Sequence, residues 1–155
     1  MAPHSLETTE TRGPGETESL GARLADELSE GDVVLVRGEL GSGKTTLVRG
    51  AARALGVHDP VTSPTFSIGH RYRAGAGLTV AHLDLYRLAG LEGEDEALLE
   101  DYIGAGRIAF VEWPEAGAAE LEGARISVTL SHRGGDRREV LLAELRPPGQ
   151  TGAPR

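Results

Sequence analysis

The apolar positions of the chain follow two periodicities, and together they predict helices alternating with strands. One apolar residue every four positions predicts a short helix that starts near Thr17, with an apolar face of Leu20, Leu24 and Leu28. The uninterrupted apolar run 33–36 is typical of a strand that is buried on both faces of a sheet. The segment 46–55 returns to a helical pattern, so the first half of the chain predicts an α/β fold.

The second half of the chain predicts mostly strands, because its apolar runs are short and are separated by glycine-rich turns. An acidic segment, 91–103, interrupts them and is expected to be partly helical, with a buried side formed by Leu98, Leu99 and Tyr102. The predicted strands are 66–72 and 78–83, which form a hairpin, then 107–111, 125–130 and 139–145.

Composition narrows the class of protein. A chain of 155 residues predicts one domain, here 16–146, flanked by polar tails at 1–15 and 147–155 that are expected to be flexible. The net charge of −8 argues against a protein that grips nucleic acid over a broad basic face. There are no cysteines, no apolar run approaches 18 residues, and the N-terminus has no signal-like pattern. These features predict a soluble, cytoplasmic protein.

One motif carries most of the chemical information. Residues 38–45 read Gly-Glu-Leu-Gly-Ser-Gly-Lys-Thr and lie between the predicted strand 33–36 and the predicted helix 46–55. This is the order and spacing of a phosphate-binding loop. Its glycines allow positive φ angles, so that backbone N–H groups can converge on an anion at the start of the helix.

The last two residues of the motif predict the ligand in more detail. Lys44 can bridge the terminal phosphates, and the Thr45 hydroxyl can bind Mg²⁺. Lys44 is also the only lysine of the chain, in a position that needs a compact ammonium rather than a planar guanidinium. ATP is the predicted nucleotide, because the guanine-selecting Asn-Lys-x-Asp segment would require a second lysine. The expected fold is therefore a P-loop NTPase, a three-layer α/β/α sandwich with a mostly parallel central sheet and antiparallel additions.

A magnesium–nucleotide site also needs acidic groups at neighbouring strand ends. Asp84 and Glu112 each end an apolar strand, and either could bind the metal while the other orients water. Thr65, in the loop after the first motif, is a further candidate for sensing the γ-phosphate. His82 is interpreted as a partly buried strand residue, and the histidines show no zinc-type spacing.

Four motifs together resemble the TsaE family, also called YjeE, small bacterial P-loop ATPases of tRNA threonylcarbamoyladenosine modification. The similarity runs from about Thr17 to Leu145, and the last three motifs are specific to the family. The motifs are 38–46, Val-Thr-Ser-Pro-Thr-Phe at 61–66, His-Leu-Asp-Leu-Tyr-Arg-Leu at 82–88 and Glu-Trp-Pro-Glu at 112–115.

The resemblance implies roles for individual residues. Lys44 is expected to be catalytic together with Asp84, the Walker-B-type acid, and Glu112, a metal-associated acid needed for hydrolysis. Thr45, Asp84 and Glu112 are the expected metal-site residues. Thr17 and either Arg137 or Arg138 are expected to approach the nucleotide, and the loop 63–66 looks like the first switch. The expected nucleotide-binding residues are Thr17, Glu39, Leu40, Gly41, Ser42, Gly43, Lys44, Thr45, Thr46, Thr65 and Arg138.

The resemblance also implies partners and a reaction. Members of the family hydrolyse ATP slowly alone and act on a complex of the TsaD and TsaB proteins, which ATP hydrolysis resets. Direct contact with tRNA stays open. Two alternatives also stay open: a small-molecule kinase with Asp84 as base and Arg87 as substrate clamp, and a module that senses nucleotide without needing to hydrolyse it.

Overall fold

A computed structural model describes residues 5–64, 68–86, 99–117, 121 and 123–147. The elements whose bounds lie in these residues include two α-helices and seven β-strands, in an order that begins with a strand. The helices are α1 (Pro14–Ala25) and α2 (Lys44–Ala54). The strands are β1 (Ser5–Thr11), β2 (Val33–Gly38), β3 (Gly69–Arg73), β4 (Thr79–Asp84), β5 (Arg107–Glu112), β6 (Ile126–His132) and β7 (Arg138–Glu144).

The strands form one mixed sheet in the order β1-β7-β6-β2-β5-β4-β3. Its centre is parallel, since β2 pairs with both β6 and β5, and β5 pairs with β4. Its margins are antiparallel, through the pairs β3–β4, β6–β7 and β7–β1. The predicted α/β class is thus confirmed, and so is the predicted hairpin, which β3 and β4 form. Because β2, β5 and β4 are parallel, their carboxyl ends meet at one edge of the sheet.

The burial of β2 explains its uninterrupted apolar sequence. Val34 and Val36 pack into a cluster shared with α1 and α2, whereas Val33 and Leu35 pack into a second cluster on the opposite face. Leu99 and Tyr102 contribute to the second cluster, as expected for the buried side of their segment. The rest of that predicted segment, 91–98, lies outside the described residues.

The N-terminal segment differs from its prediction. The expectation of a flexible tail over 1–15 is wrong for β1, whose seven residues pair antiparallel with β7. The sequence of β1 is polar because the strand lies at the sheet edge, while its threonines are β-branched and favour extended backbone. Helix α1 likewise begins earlier than predicted, at Pro14, where the fixed φ of proline suits the first helical position.

Other predictions about organisation stay predictions. The single domain and the C-terminal tail at 147–155 are among them, since residues 148–155 lie outside the described residues. In the described part of the chain no helix combines the length and apolarity needed to cross a membrane. The predicted cytoplasmic location stays a prediction.

Helices α1 and α2 pack closely because glycines face the opposing backbone. A Cβ at Gly50 on α2 would overlap the backbone carbonyl group of Glu18 on α1. A Cβ at Gly21 on α1 would overlap the backbone carbonyl oxygen of Leu47 on α2. This contact fixes the distance between the two helices, and with it the position of the start of α2 at the sheet edge.

We expect Gly50→Ala to lower the free energy of unfolding by about 1–3 kcal/mol, because the added methyl group would push the helices apart. Gly15→Ala is the matched control, since Gly15 lies in α1 and its Cβ would meet nothing within 4 Å. That control should be neutral or stabilising by about 0.5–1 kcal/mol. Urea denaturation followed by circular dichroism measures both, and equal stability of the two variants would contradict the close helix contact.

Candidate functional site

The loop between β2 and α2 adopts the backbone that the motif predicts. The φ angles of Gly38, Gly41 and Gly43 are 150°, 75° and 101°, which are unfavourable for residues that carry a Cβ. Helix α2 then begins at Lys44 without a side-chain cap. The N–H groups in the first turn of any helix have no intrahelical partner. Because no side chain caps them here, they can bind an anion, and the positive end of the helix dipole favours it.

A cavity of about 370 Å³ lies in front of this loop. Of the predicted site residues, ten line it: Thr17, Leu40, Gly41, Gly43, Lys44, Thr45, Thr46, Asp84, Glu112 and Arg138. Two others lie beside it. Glu39 contributes a loop carbonyl oxygen, and Ser42 is fully buried with its carbonyl oxygen turned to Arg138. Thr65 lies outside the described residues, so its predicted role stays a prediction.

Lys44 is held inside the protein. Its Nζ donates hydrogen bonds to the carbonyl oxygens of Gly38 at 2.6 Å and Glu39 at 3.0 Å, and lies 4.5 Å from the centre of the Trp113 ring. Burial lowers the pKa of this ammonium below its usual value, although the negative charges of Glu112, Asp84 and Glu115 partly oppose that effect. The lysine is thus positioned and desolvated at the point where a phosphate would bind.

Trp113, beside the lysine, has an unusual backbone. Its φ of 54° lies in the left-handed region, which is uncommon for a residue with a side chain. The indole also packs against the ring of Tyr86, with 4.8 Å between the ring centres. The strand end that carries Glu112 is therefore followed by a strained turn whose aromatic side chain covers the Lys44 ammonium.

Glu112 is the acid that contacts the start of α2, through Thr45. It ends β5, the strand adjacent to β2, and its side chain is almost fully buried. Its Oε2 accepts a hydrogen bond from Thr45 Oγ1 at 3.2 Å and another from His82 Nε2. His82 is fully buried, so its interpretation as a partly buried strand residue underestimated both its burial and its contact with the site.

Asp84 lies one strand further from the loop, at the end of β4 and in register with Glu112. Its Oδ1 accepts a hydrogen bond from the backbone N–H of Tyr86 at 3.0 Å, and its Oδ2 accepts one from Ser63 Oγ at 3.3 Å. Asp84 thereby connects the strand end to the loop at 63–66 that the sequence singled out.

Arg138 and Thr17 close the opposite side of the cavity. Arg138 donates from Nε to the carbonyl oxygen of Ser42 at 3.0 Å and from Nη2 to that of Gly41 at 3.3 Å. The Thr17 hydroxyl donates to the carbonyl oxygen of Gly13 at 3.2 Å, and its Oγ1 lies 2.8 Å from Oγ1 of Thr11. Arg138 thus holds the carbonyl groups of Gly41 and Ser42, which fixes the orientation of these two peptide planes.

Five residues that line the cavity were not among the site residues predicted from the sequence. They are Gly13, Pro14, Ser63, Trp113 and Asp136. The Gly-Pro pair carried a signal, since it marks a helix start, and Ser63 belongs to a motif that was recognised. Asp136 carried none, because an aspartate beside two glycines is an ordinary turn residue.

The donor set is suited to magnesium bound together with a phosphate. Thr45 supplies a hydroxyl oxygen and Glu112 and Asp84 supply carboxylates, which are the hard oxygen ligands that Mg²⁺ takes. Across the described ranges no three His, Cys, Asp or Glu residues group as a self-sufficient metal site. Mg²⁺ is commonly held by one or two carboxylates and completes its shell with water and substrate phosphates.

Known proteins resemble this chain over most of its length. The family model described as "Threonylcarbamoyl adenosine biosynthesis protein TsaE" matches residues 11–140. The protein TsaE of Streptomyces coelicolor is 43% identical over 118 residues, which are 76% of this chain and 80% of that protein. TsaE of Bacillus subtilis is 37% identical over 135 residues, covering 87% of this chain and 84% of its own length. Both are described as tRNA threonylcarbamoyladenosine biosynthesis proteins.

A solved structure gives the same result for the fold. The crystal structure of Bacillus subtilis YdiB superposes with a TM-score of 0.74 at 30% sequence identity, covering 92% of this chain and 87% of that one. The motifs, the fold and the cavity therefore agree with the sequence matches, and the chain belongs to the TsaE family of threonylcarbamoyl adenosine biosynthesis proteins.

Proposed function

We propose that the protein is a magnesium-dependent ATPase that serves tRNA threonylcarbamoyladenosine biosynthesis by acting on a complex of the TsaD and TsaB proteins. The observation that supports hydrolysis best is the convergence of a buried ammonium, Lys44, and two strand-end carboxylates on one cavity at an uncapped helix start.

Electrostatics favours a nucleotide bound with its metal. A triphosphate tail is strongly anionic, and the cavity would place it near the carboxylates of Glu112 and Asp84. The Lys44 ammonium alone cannot offset this repulsion. Thr45 and Glu112 are already hydrogen-bonded to each other and would hold Mg²⁺, which neutralises charge that develops on the phosphates.

Asp84 is suited to the second acidic role. Its contacts to Ser63 and to the Tyr86 backbone fix its carboxylate two strands away from the loop. From there it would orient the attacking water, while Lys44 and the N–H groups at the start of α2 stabilise charge on the transferred phosphate. Our proposal therefore gives Glu112 the metal-binding role and Asp84 the water-orienting role, whereas the family resemblance implies a metal-site role for both acids.

The state of the arginines supports slow turnover alone and activation by a partner. Among the described residues Arg138 is the arginine that lines the cavity, and its guanidinium already donates to loop carbonyl oxygens. Arg37 lies nearby but pairs with Glu115 at 2.6 Å. In the described ranges, the arginine at the cavity is therefore already engaged, and an ATPase in that state is expected to hydrolyse slowly until another protein alters the site.

The alternatives receive no comparable support. A small-molecule kinase would use Arg87 as its substrate clamp, and that residue lies outside the described part of the chain. A nucleotide sensor shares the same site and differs only in whether hydrolysis matters. The net charge of −8 gives no reason to assign direct tRNA binding.

We expect Lys44→Ala to lower the ATP turnover number about a hundredfold in the presence of TsaD and TsaB. Loss of one charge-stabilising donor in a transition state costs on the order of 3 kcal/mol. Arg53→Ala is the matched control, because Arg53 lies on the same helix with its side chain largely exposed. Phosphate release measures turnover. Hydrolysis by Lys44→Ala at the control rate, or no stimulation of the unmodified protein by the two partners, would contradict the proposal.

The lowered pKa of Lys44 predicts a pH dependence of ATP binding. The free protein loses the Lys44 proton at a lower pH than the usual 10.5, and a bound triphosphate raises the pKa again. Binding therefore takes up a proton at alkaline pH, and ATP affinity should fall as pH rises through the lowered value. Lys44→Arg should bind ATP more weakly at every pH, because a planar guanidinium fits this position poorly, but it does not deprotonate and so should show no such alkaline decline. Isothermal titration calorimetry from neutral to alkaline pH tests this, and parallel profiles for both proteins would contradict it.

A further inference from the structure

His82 is a buried polar residue with no direct part in the proposed hydrolysis. It lies on β4 two positions before Asp84, and its side chain is fully buried. Residues two apart on a strand share a face of the sheet, so His82 lies on the same face as Asp84. Glu112 is the register partner of Asp84 on β5, which brings the imidazole next to the acid that contacts Thr45.

The hydrogen bonds to the side chain of Glu112 are all on one oxygen. Its Oε2 accepts from His82 Nε2 and from Thr45 Oγ1, while among the described residues none donates to Oε1. The terminal torsion of a glutamate is broad, so free rotation would let either oxygen face the cavity. Two donors on Oε2 remove that freedom and leave Oε1 available to a metal ion or to its water.

Packing alone does not account for a histidine at this position. Its Nδ1 is buried and has no hydrogen-bond partner among the described residues. A buried ring nitrogen without a partner is unfavourable, and an apolar side chain of similar size would fill the same space without that penalty. A residue that costs stability and also contacts a site acid is typical of a functional position.

We propose that His82 is a positioning residue, whose Nε2–H holds Oε2 of Glu112 so that Oε1 is presented to nucleotide-bound magnesium. The proposal rests on the ATPase function proposed above. Groups that orient a metal ligand from behind change metal affinity about 10- to 100-fold when they are removed. His82 should therefore affect ATP binding only when magnesium is present.

Two amide variants separate the hydrogen bond from the shape of the side chain. In His82→Gln the amide nitrogen lies about where Nε2 lies and can donate to Glu112. In His82→Asn the amide is one bond shorter and reaches only the Nδ1 position. Thermal melts first confirm that both variants are folded. ATP binding to both variants and to the unmodified protein is then measured by calorimetry, once with Mg²⁺ and once with EDTA. His82→Phe, which keeps a ring without a donor, replaces His82→Asn if that variant is unfolded.

We expect His82→Asn to weaken ATP binding about tenfold or more in Mg²⁺ and by less than about twofold in EDTA. His82→Gln should stay within about threefold of the unmodified protein in both conditions. Equal weakening by both amides, or equal weakening with and without metal, would show that the residue acts through packing and would overturn the proposal. Unchanged binding in His82→Asn would overturn it too.

A double-mutant cycle with Glu112→Gln tests whether the effect passes through that acid. In the Glu112→Gln background, the additional substitution His82→Asn should change Mg²⁺-dependent ATP affinity by less than about twofold. An undiminished effect there would contradict the positioning role. If the unmodified protein binds ATP and responds to Mg²⁺ while the His82 variants behave identically, the inference on His82 fails and the ATPase proposal stands. Failure of the unmodified protein to bind ATP would reject both.

Discussion

A buried ammonium at the carboxyl end of β2 is the feature on which the rest of the site depends. Removing Lys44 from water is unfavourable, and it is compensated by two loop carbonyl oxygens, an indole face and the carboxylates across the cavity. Those carbonyl groups can turn toward the lysine only because the loop adopts glycine conformations at Gly38, Gly41 and Gly43. The same loop leaves the first N–H groups of α2 without a cap.

The topology of the sheet brings the remaining groups to this loop. Strand β5 is adjacent to β2 and parallel to it, and β4 is the next strand. Glu112 therefore lies one strand away from the loop, and Asp84 lies two strands away. The antiparallel strands at the other margin supply Arg138, and the turn between β1 and α1 places Thr17 at the same cavity. The strands that close the sheet margin thus also complete the site.

Local patterns predicted the features that depend on local chemistry. The apolar run of β2, the glycine loop, helix α2 and the hairpin of β3 and β4 follow from residue type and spacing, and all are present. Strand β1 escaped prediction because its stability comes from pairing with β7, more than 120 residues away in the sequence, whose register the sequence does not reveal.

The site was predicted unevenly for the same reason. Lys44 and Thr45 belong to a contiguous motif, and Asp84 and Glu112 end recognisable strands. His82 occupies an apolar strand where a histidine usually packs in the core, and only the pairing of β4 with β5 brings it to Glu112. Arg138 was predicted to approach a nucleotide, but the sequence could not show that its guanidinium also holds the loop carbonyl groups.

The most direct test of a phosphate-binding Lys44 is the fluorescence of Trp113, the only tryptophan of the chain. The Lys44 ammonium lies over its ring, and a phosphate that draws the ammonium toward the cavity would change the surroundings of the indole. A titration of the unmodified protein with ATP and Mg²⁺ should give a saturable change in Trp113 emission. Emission that stays constant at every ATP concentration, with TsaD and TsaB also supplied, would contradict the account.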